Sequence, residues 1–269
     1  MKDIIHLKKT GSKMKGEYLY GGWFAFLPRV KAFLLETVFP EHAVCRACGK
    51  ITEGGILCGA CEDRLQTDGM AYAWDREELE PDLDAYTLRP HAGVARQLVL
   101  RLKHHAEKCA AEKLADLLLP VPEHIRFAPD TVVTWVPMPE SRRMERCIDH
   151  GQVLAEAAAE RLNLPCRKLL NRLETREKPQ ARLGQKAREG NLARAFRPAE
   201  ESGCPVLLVD DVLTTGTTAR RCAEALRAGG AREITLLAFT RAMPGYISEA
   251  ENTRKTEAKI IRRERRGKL

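Results

Sequence analysis

The sequence predicts an α/β protein, a parallel sheet with helices on both faces, preceded by a small four-cysteine zinc module. Three observations predict it. From Thr131 onward, short β-branched apolar runs alternate with alanine-rich helical stretches. Between Pro205 and Ala242 strand, helix and strand follow in immediate succession, which implies a right-handed parallel crossover. Near the N-terminus two C-x2-C pairs stand nine residues apart.

The elements follow in order. Residues 1–21 are polar and basic and read as a disordered tail. Residues 22–39 place Phe26, Val30, Phe33, Leu34 and Val38 near helical spacing, a short leading helix. Residues 40–68 form the cysteine module. The acidic segment from Tyr72 to Tyr86 reads as a linker or an added edge element. Two helical stretches follow, marked by Val94, Leu98 and Leu102 and then by Leu114, Leu117 and Leu118, with Lys103 at the end of the first. TVVTWVPM (131–138) reads as a buried strand, and residues 152–164 as an alanine-rich helix stopped by Pro165. From Asn171 to Asn191 the chain is polar and basic without a convincing period, a mobile loop that can close over a site. Then come the strand PVLLVDD, a helix closed by Gly229 and Gly230, the strand REITLLAFTRA, and a basic tail over 249–269.

Composition bounds the function. The 269 residues hold one core domain of roughly 150 to 200 residues and a smaller module. At 44% hydrophobic residues the chain is globular rather than fibrous. No apolar run reaches the roughly 20 residues of a membrane span, because Arg29 and Lys31 interrupt the best candidate. The first twenty residues lack the apolar core of a secretory signal, so a cytoplasmic location is expected. The formal charge of +8 lies in the tails: residues 252–269 carry about +6 and residues 1–22 about +3, which leaves the remainder near −1. Such tails bind nucleic acid without sequence preference, or are solvated ends.

Of the nine cysteines, Cys45, Cys48, Cys58 and Cys61 form C-x2-C-x9-C-x2-C. In a reducing compartment this spacing favours four-thiolate zinc over a disulfide pair or a redox-active C-x2-C, with His42 as a substitute ligand. A four-thiolate site is closed, hence structural. The other five read as small buried residues.

The stretch PVLLVDDVLTTGTTARRC carries the chemistry. In a parallel sheet, ligands bind beyond the carboxyl ends of the strands. Asp210 and Asp211 end one strand, and Thr214, Thr215, Gly216, Thr217 and Thr218 open the next helix, where free N–H groups favour a phosphate. Neither G-x4-G-K-[ST] nor G-x-G-x-x-G is present. Two carboxylates beside an anion repel it unless they accept from something else. Ribose hydroxyls with a divalent cation nearby meet that need.

VLLVDDVLTTGTTA resembles the phosphoribosyl pyrophosphate (PRPP) signature of type I phosphoribosyltransferases, and the chain around it resembles the ComF family, also called competence or GntX-like proteins. The resemblance covers roughly residues 38–241, through FPEHAVCRACG, VARQLVLRLKHH, WVPMPESRRMER, TREKPQARLGQKAREGN and the Ala195-Phe196 pair. It implies a type I phosphoribosyltransferase fold over 84–245. It implies PRPP or a related ribose phosphate as ligand with Mg: Asp210 and Asp211 on the ribose hydroxyls as catalytic acids, the 214–218 loop on the 5-phosphate, and Val212 and Leu213 as further PRPP-binding residues. On the pyrophosphate side it implies Lys103, Arg142, Arg143 and Arg146, and Arg172, Thr175, Gln180 and Arg188 in the flexible loop. Two places depart from the family pattern. Arg146-Cys147-Ile148-Asp149-His150 stands where R-G-F-[ND]-x is common, and Lys103 is followed by His104, His105 and Ala106 instead of a glycine-containing turn. These histidines are assigned no role. The family further implies a place in DNA uptake and natural competence. Turnover and the acceptor are left open; the alternative is a non-catalytic nucleotide-binding accessory or sensor that contacts single-stranded DNA or competence proteins.

Overall fold

In a computed structural model, residues 44–52, 54–81, 83–146, 148–173 and 195–243 are described. In chain order they form helix α1 (Gly59–Thr67), a 3-10 turn (Met70–Tyr72), strands β1 (Asp75–Glu80) and β2 (Leu83–Pro90), and helices α2 (Gly93–His105) and α3 (Lys108–Ala115). Strand β3 (Val132–Trp135), helices α4 (Glu140–Arg146) and α5 (His150–Leu162), and strands β4 (Leu170–Arg172) and β5 (Phe196–Pro198) come next. Strand β6 (Val206–Leu213), helix α6 (Thr217–Ala228) and strand β7 (Ile234–Arg241) complete the order.

The main sheet runs β1-β2-β7-β6-β3. β2, β7, β6 and β3 are parallel, and β1 adds antiparallel at one edge. Successive side chains of a strand face opposite sides, so β6 and β7 feed two cores. Leu207, Val209, Leu237 and Phe239 pack with α2, α3 and α5, whereas Val206, Leu208, Leu236 and Ala238 pack with α6 and the β4–β5 pair. Phe239 is fully buried, a contribution of about 1.5–3 kcal/mol for one side chain. Helices thus cover both faces, and the expected mixed α/β fold on a mostly parallel sheet is the observed one.

The cysteine module shares the first core: Cys45, Leu57, Cys61 and Leu65 are buried in the same cluster as Leu98 and Leu114. Its polar contacts follow from unpaired helix ends. Arg89, buried in β2, donates through Nε to the Leu65 carbonyl at 3.0 Å and through Nη2 to that of Gln66 at 3.1 Å. Arg101 Nε donates to the Arg46 carbonyl at 3.0 Å, and Lys113 pairs with Glu62 at 2.7 Å.

Several expectations need correction. The segment read as a linker or an added edge element does add one, the edge strand β1, but it runs on into a second strand, β2, that is interior to the sheet. Charge hid them: β1 reads DREELE because an exposed edge tolerates charge, and Arg89 in β2 is a buried cap. The strand carrying the two acids continues through them to Leu213. Leu170–Arg172, at the start of the expected loop, pairs antiparallel with Phe196–Pro198. Arg142, Arg143 and Arg146, expected on the pyrophosphate side, lie on helix α4. The leading helix, both tails, His42, Cys147, Thr175, Gln180 and Arg188 lie outside the described residues.

Candidate functional site

The carboxyl ends of β2, β7, β6 and β3 open on one edge of the sheet, and the two acids of β6 lie there. As neighbours on a strand they diverge. Asp211, 5% exposed, faces the α2 and α5 side. Its Oδ2 lies 2.8 Å from Lys103 Nζ and 2.9 Å from His150 Nε2. Lys103 comes from the last turn of α2, where a cation suits the helix dipole, and Ala106 ends that helix with φ 56°. Burial pushes the Asp211 carboxyl up, but the His150 hydrogen bond and the Lys103 charge outweigh it and hold it below the usual carboxylate range.

Asp210 turns the other way, toward α6, where its charge raises the buried Cys222 thiol further above the level that burial sets. Its Oδ1 accepts from the Asp211 backbone N–H at 2.8 Å. Burial, and then the charge of Asp211, push Asp210 up to about 7. The site therefore holds one carboxylate firmly ionised and one near neutrality, the separation of roles that adjacent acids in different surroundings acquire.

His150, assigned no role from the sequence, is the residue that joins the site. It opens α5, whose first turn is fixed by Asp149: Oδ1 accepts from Gly151 N at 3.0 Å and Gln152 N at 3.3 Å, while Oδ2 accepts from Trp135 Nε1 at 3.2 Å. A Cβ on Gly151 would stand 3.0 Å from the Val136 carbonyl oxygen, so this turn presses onto the end of β3. The His150 ring spans Asp211 and Arg146, with Nδ1 3.5 Å from Arg146 Nη1. Nε2 thus faces the Asp211 carboxylate and can donate to it, while Nδ1 faces the guanidinium. A capping aspartate just before an alanine-rich helix was the signal available in the sequence.

The other expected residues divide. Arg146 joins the cluster through His150. Arg143 turns back on Glu140 at 2.7 Å and lines an open cavity of about 420 Å³ with Met144, Ile148 and Gln152. Arg142 is exposed on α4, and its charge, with burial as the larger cause, lowers the Arg172 guanidinium on β4, which lies 5.1 Å over the Phe196 ring. Leu213 packs into the second core, with its carbonyl accepting from the Ala242 N–H at 2.9 Å, and Val212 packs against the first. Thr214 and Thr215 are exposed, and Gly216 starts α6 with φ 73°, the left-handed region that favours glycine. Thr215 and Thr217 hydroxyls lie 3.0 Å apart.

At the other end of the first core, the sulfurs of Cys45, Cys48, Cys58 and Cys61 all lie within 4.8 Å of one another, a group that can hold a metal ion. Burial opposes ionisation of Cys45, but the N–H groups of Cys48, Cys58 and Ala47 aimed at its sulfur outweigh it and lower the thiol to about 6. Burial and the neighbouring thiols raise Cys61. Gly49, with φ 75°, lets its N–H reach the Cys45 carbonyl at 2.8 Å and closes the first turn. Four soft donors crowded this closely, with backbone N–H groups directed at sulfur, fit a thiolate-bound metal.

No protein-family model matches the chain. Competence protein F of Haemophilus influenzae is 28% identical over 215 residues, 75% of this chain and 92% of that protein. Among solved structures, glutamine phosphoribosylpyrophosphate amidotransferase from B. subtilis, complexed with ADP and GMP, is 21% identical with a TM-score of 0.32; the match covers 56% of this chain and 28% of that one. Adenine phosphoribosyltransferase from Leishmania tarentolae is 14% identical with a TM-score of 0.32, over 64% of this chain and 99% of that one. Among the described residues no helix is long and apolar enough to cross a membrane. The stretches that resemble the ComF family thus belong to a mixed α/β chain that is similar to Competence protein F over three quarters of its length.

Proposed function

We propose that this chain binds phosphoribosyl pyrophosphate, or a related ribose 5-phosphate, with Mg at the carboxyl edge of its parallel sheet, and that it serves DNA uptake. One observation carries the reading: the adjacent acids Asp210 and Asp211 stand directly before a glycine-capped helix N-terminus, with Lys103 and His150 on the buried Asp211. The free N–H groups of the 214–218 loop suit a 5-phosphate. The acids suit ribose hydroxyls, and Lys103 with Arg146 suits a pyrophosphate. Mg bound there would offset the charge between phosphate and acids. A nucleophile that displaced pyrophosphate at C1 would meet a positioned ring and a stabilised leaving group. The four thiolates hold zinc in a closed, structural site. The role in DNA uptake rests on the similarity to Competence protein F alone.

Calorimetry with PRPP tests this. Magnesium-dependent binding that is lost in Asp210→Asn/Asp211→Asn supports the site, and no heat with either metal-free or Mg-loaded ligand refutes it. Pyrophosphate release on adding nitrogenous acceptors separates a transferase from a sensor.

A further inference from the structure

We propose that Arg220 and Arg241, braced by the acidic edge strand β1, are positioning residues that set the peptide planes of the 214–218 loop; the inference rests on reading that loop as the phosphate-binding element. Arg220, in the first turn of α6, donates through Nη1 to the Thr215 carbonyl at 2.9 Å and through Nε to the Leu79 carbonyl at 3.2 Å, and it lies 3.7 Å from Glu80. Arg241, the last residue of β7, donates through Nη1 to the Thr214 carbonyl at 3.2 Å, and its Nη2 pairs with Glu77 Oε2 at 2.6 Å. Two consecutive loop carbonyls are therefore each held by a guanidinium that is itself tied to β1.

The consequence follows from peptide geometry. In a planar trans peptide the carbonyl of one residue and the N–H of the next point in opposite directions. With the Thr214 and Thr215 carbonyls turned to the arginines, the N–H groups of Thr215 and Gly216 point the other way. Gly216 takes part in the same brace, since an added Cβ would stand 3.0 Å from Leu79 Cδ2. Glu77 and Glu80 offset the guanidinium charges, so these arginines act on the loop as struts and are not themselves ligands of the anion. The charge run of β1 is then the support of the site.

The two roles of an arginine here predict opposite signs. Were the arginines anion ligands, Glu77→Gln would remove a competing negative charge and tighten binding of ribose 5-phosphate. As struts they lose their brace in Glu77→Gln or Glu80→Gln, and binding weakens roughly two- to fivefold, the scale of a partly exposed ion pair. Arg220→Lys and Arg241→Lys, which keep the charge and lose the fork, weaken it as well. Titration calorimetry with ribose 5-phosphate on the full chain reads this, and unchanged or tighter binding in Glu77→Gln overturns the proposal. Hydrogen exchange without ligand gives an independent reading. Amides of residues 214–219 should exchange faster in Glu77→Gln and Arg241→Lys than in the parent, and equal rates overturn the struts. Failure of the parent to bind ribose 5-phosphate would count against the proposed function, while the exchange rates still decide the struts.

Discussion

Asp211→Asn is the perturbation with the largest calculable consequence. The substitution keeps the shape of the side chain and removes its charge, leaving Lys103 and His150 facing an uncharged amide. Breaking a fully buried ion pair costs about 3–5 kcal/mol. Asp211 meets that condition with a side chain 7% exposed, but those of Lys103 and His150 keep 22% and 17% of their exposure. The uncompensated cation therefore recovers some hydration, and the expected loss is about 2–4 kcal/mol. For a domain of this size each kcal/mol shifts Tm by roughly 2–4 °C, so thermal unfolding at pH 7 should fall by about 4–16 °C. Lys103→Met in the same chain should restore part of the loss, because it removes the stranded charge. The pH dependence has a definite sign. Asp211 is held below its ordinary value, so its contribution is complete above that value and disappears as pH falls through the folded one. Parent and Asp211→Asn should converge in acid. A loss under about 1 kcal/mol, or a double variant no more stable than the single one, would refute an ion pair that matters to the fold.

Two further outcomes follow from the same chemistry. Asp210, raised to about 7, is penalised for ionising in the folded chain. The penalty is absent below the ordinary carboxylate value and complete above the folded one, so Asp210→Asn should stabilise the protein at pH 8 and leave it unchanged near pH 4, as chemical denaturation at the two values will show. At the thiolate cluster, the purified chain should carry one zinc ion by elemental analysis. Cys61→Ser or a strong chelator should lower Tm as well as release metal, because Cys45 and Cys61 share a core with Leu98 and Leu114; metal loss without any change in Tm would separate the module from that core.

Some of this was legible without coordinates. The four cysteines announce themselves by spacing, since thiolate ligands must come in tight pairs. Strands β3, β6 and β7 are legible as apolar runs because both their faces are covered, and α5 by its alanines. The acids and the Thr/Gly loop are likewise a local pattern. What escaped was carried by charged residues whose partners are remote in sequence. Arg89 reads as a surface charge until the α1 carbonyls arrive from 23 and 24 residues away. β1 reads as a linker or an edge element alike, because nothing local says that its glutamates meet Arg220, Arg227 and Arg241.

The sequence by itself determined the elements whose burial pattern is periodic, the four-cysteine group that can hold a metal ion, and the location of the acids before an anion-suited turn, since each depends on residues close along the chain. Only the tertiary structure decided that the two acids diverge, that His150 and Lys103 converge on Asp211 from separate helices, and that an acidic edge strand braces the loop. The physical reason is the range of the interactions. Backbone periodicity and ligand spacing are set within a few residues, whereas the charge state of a carboxylate depends on whichever groups the fold brings within about 3 Å of it.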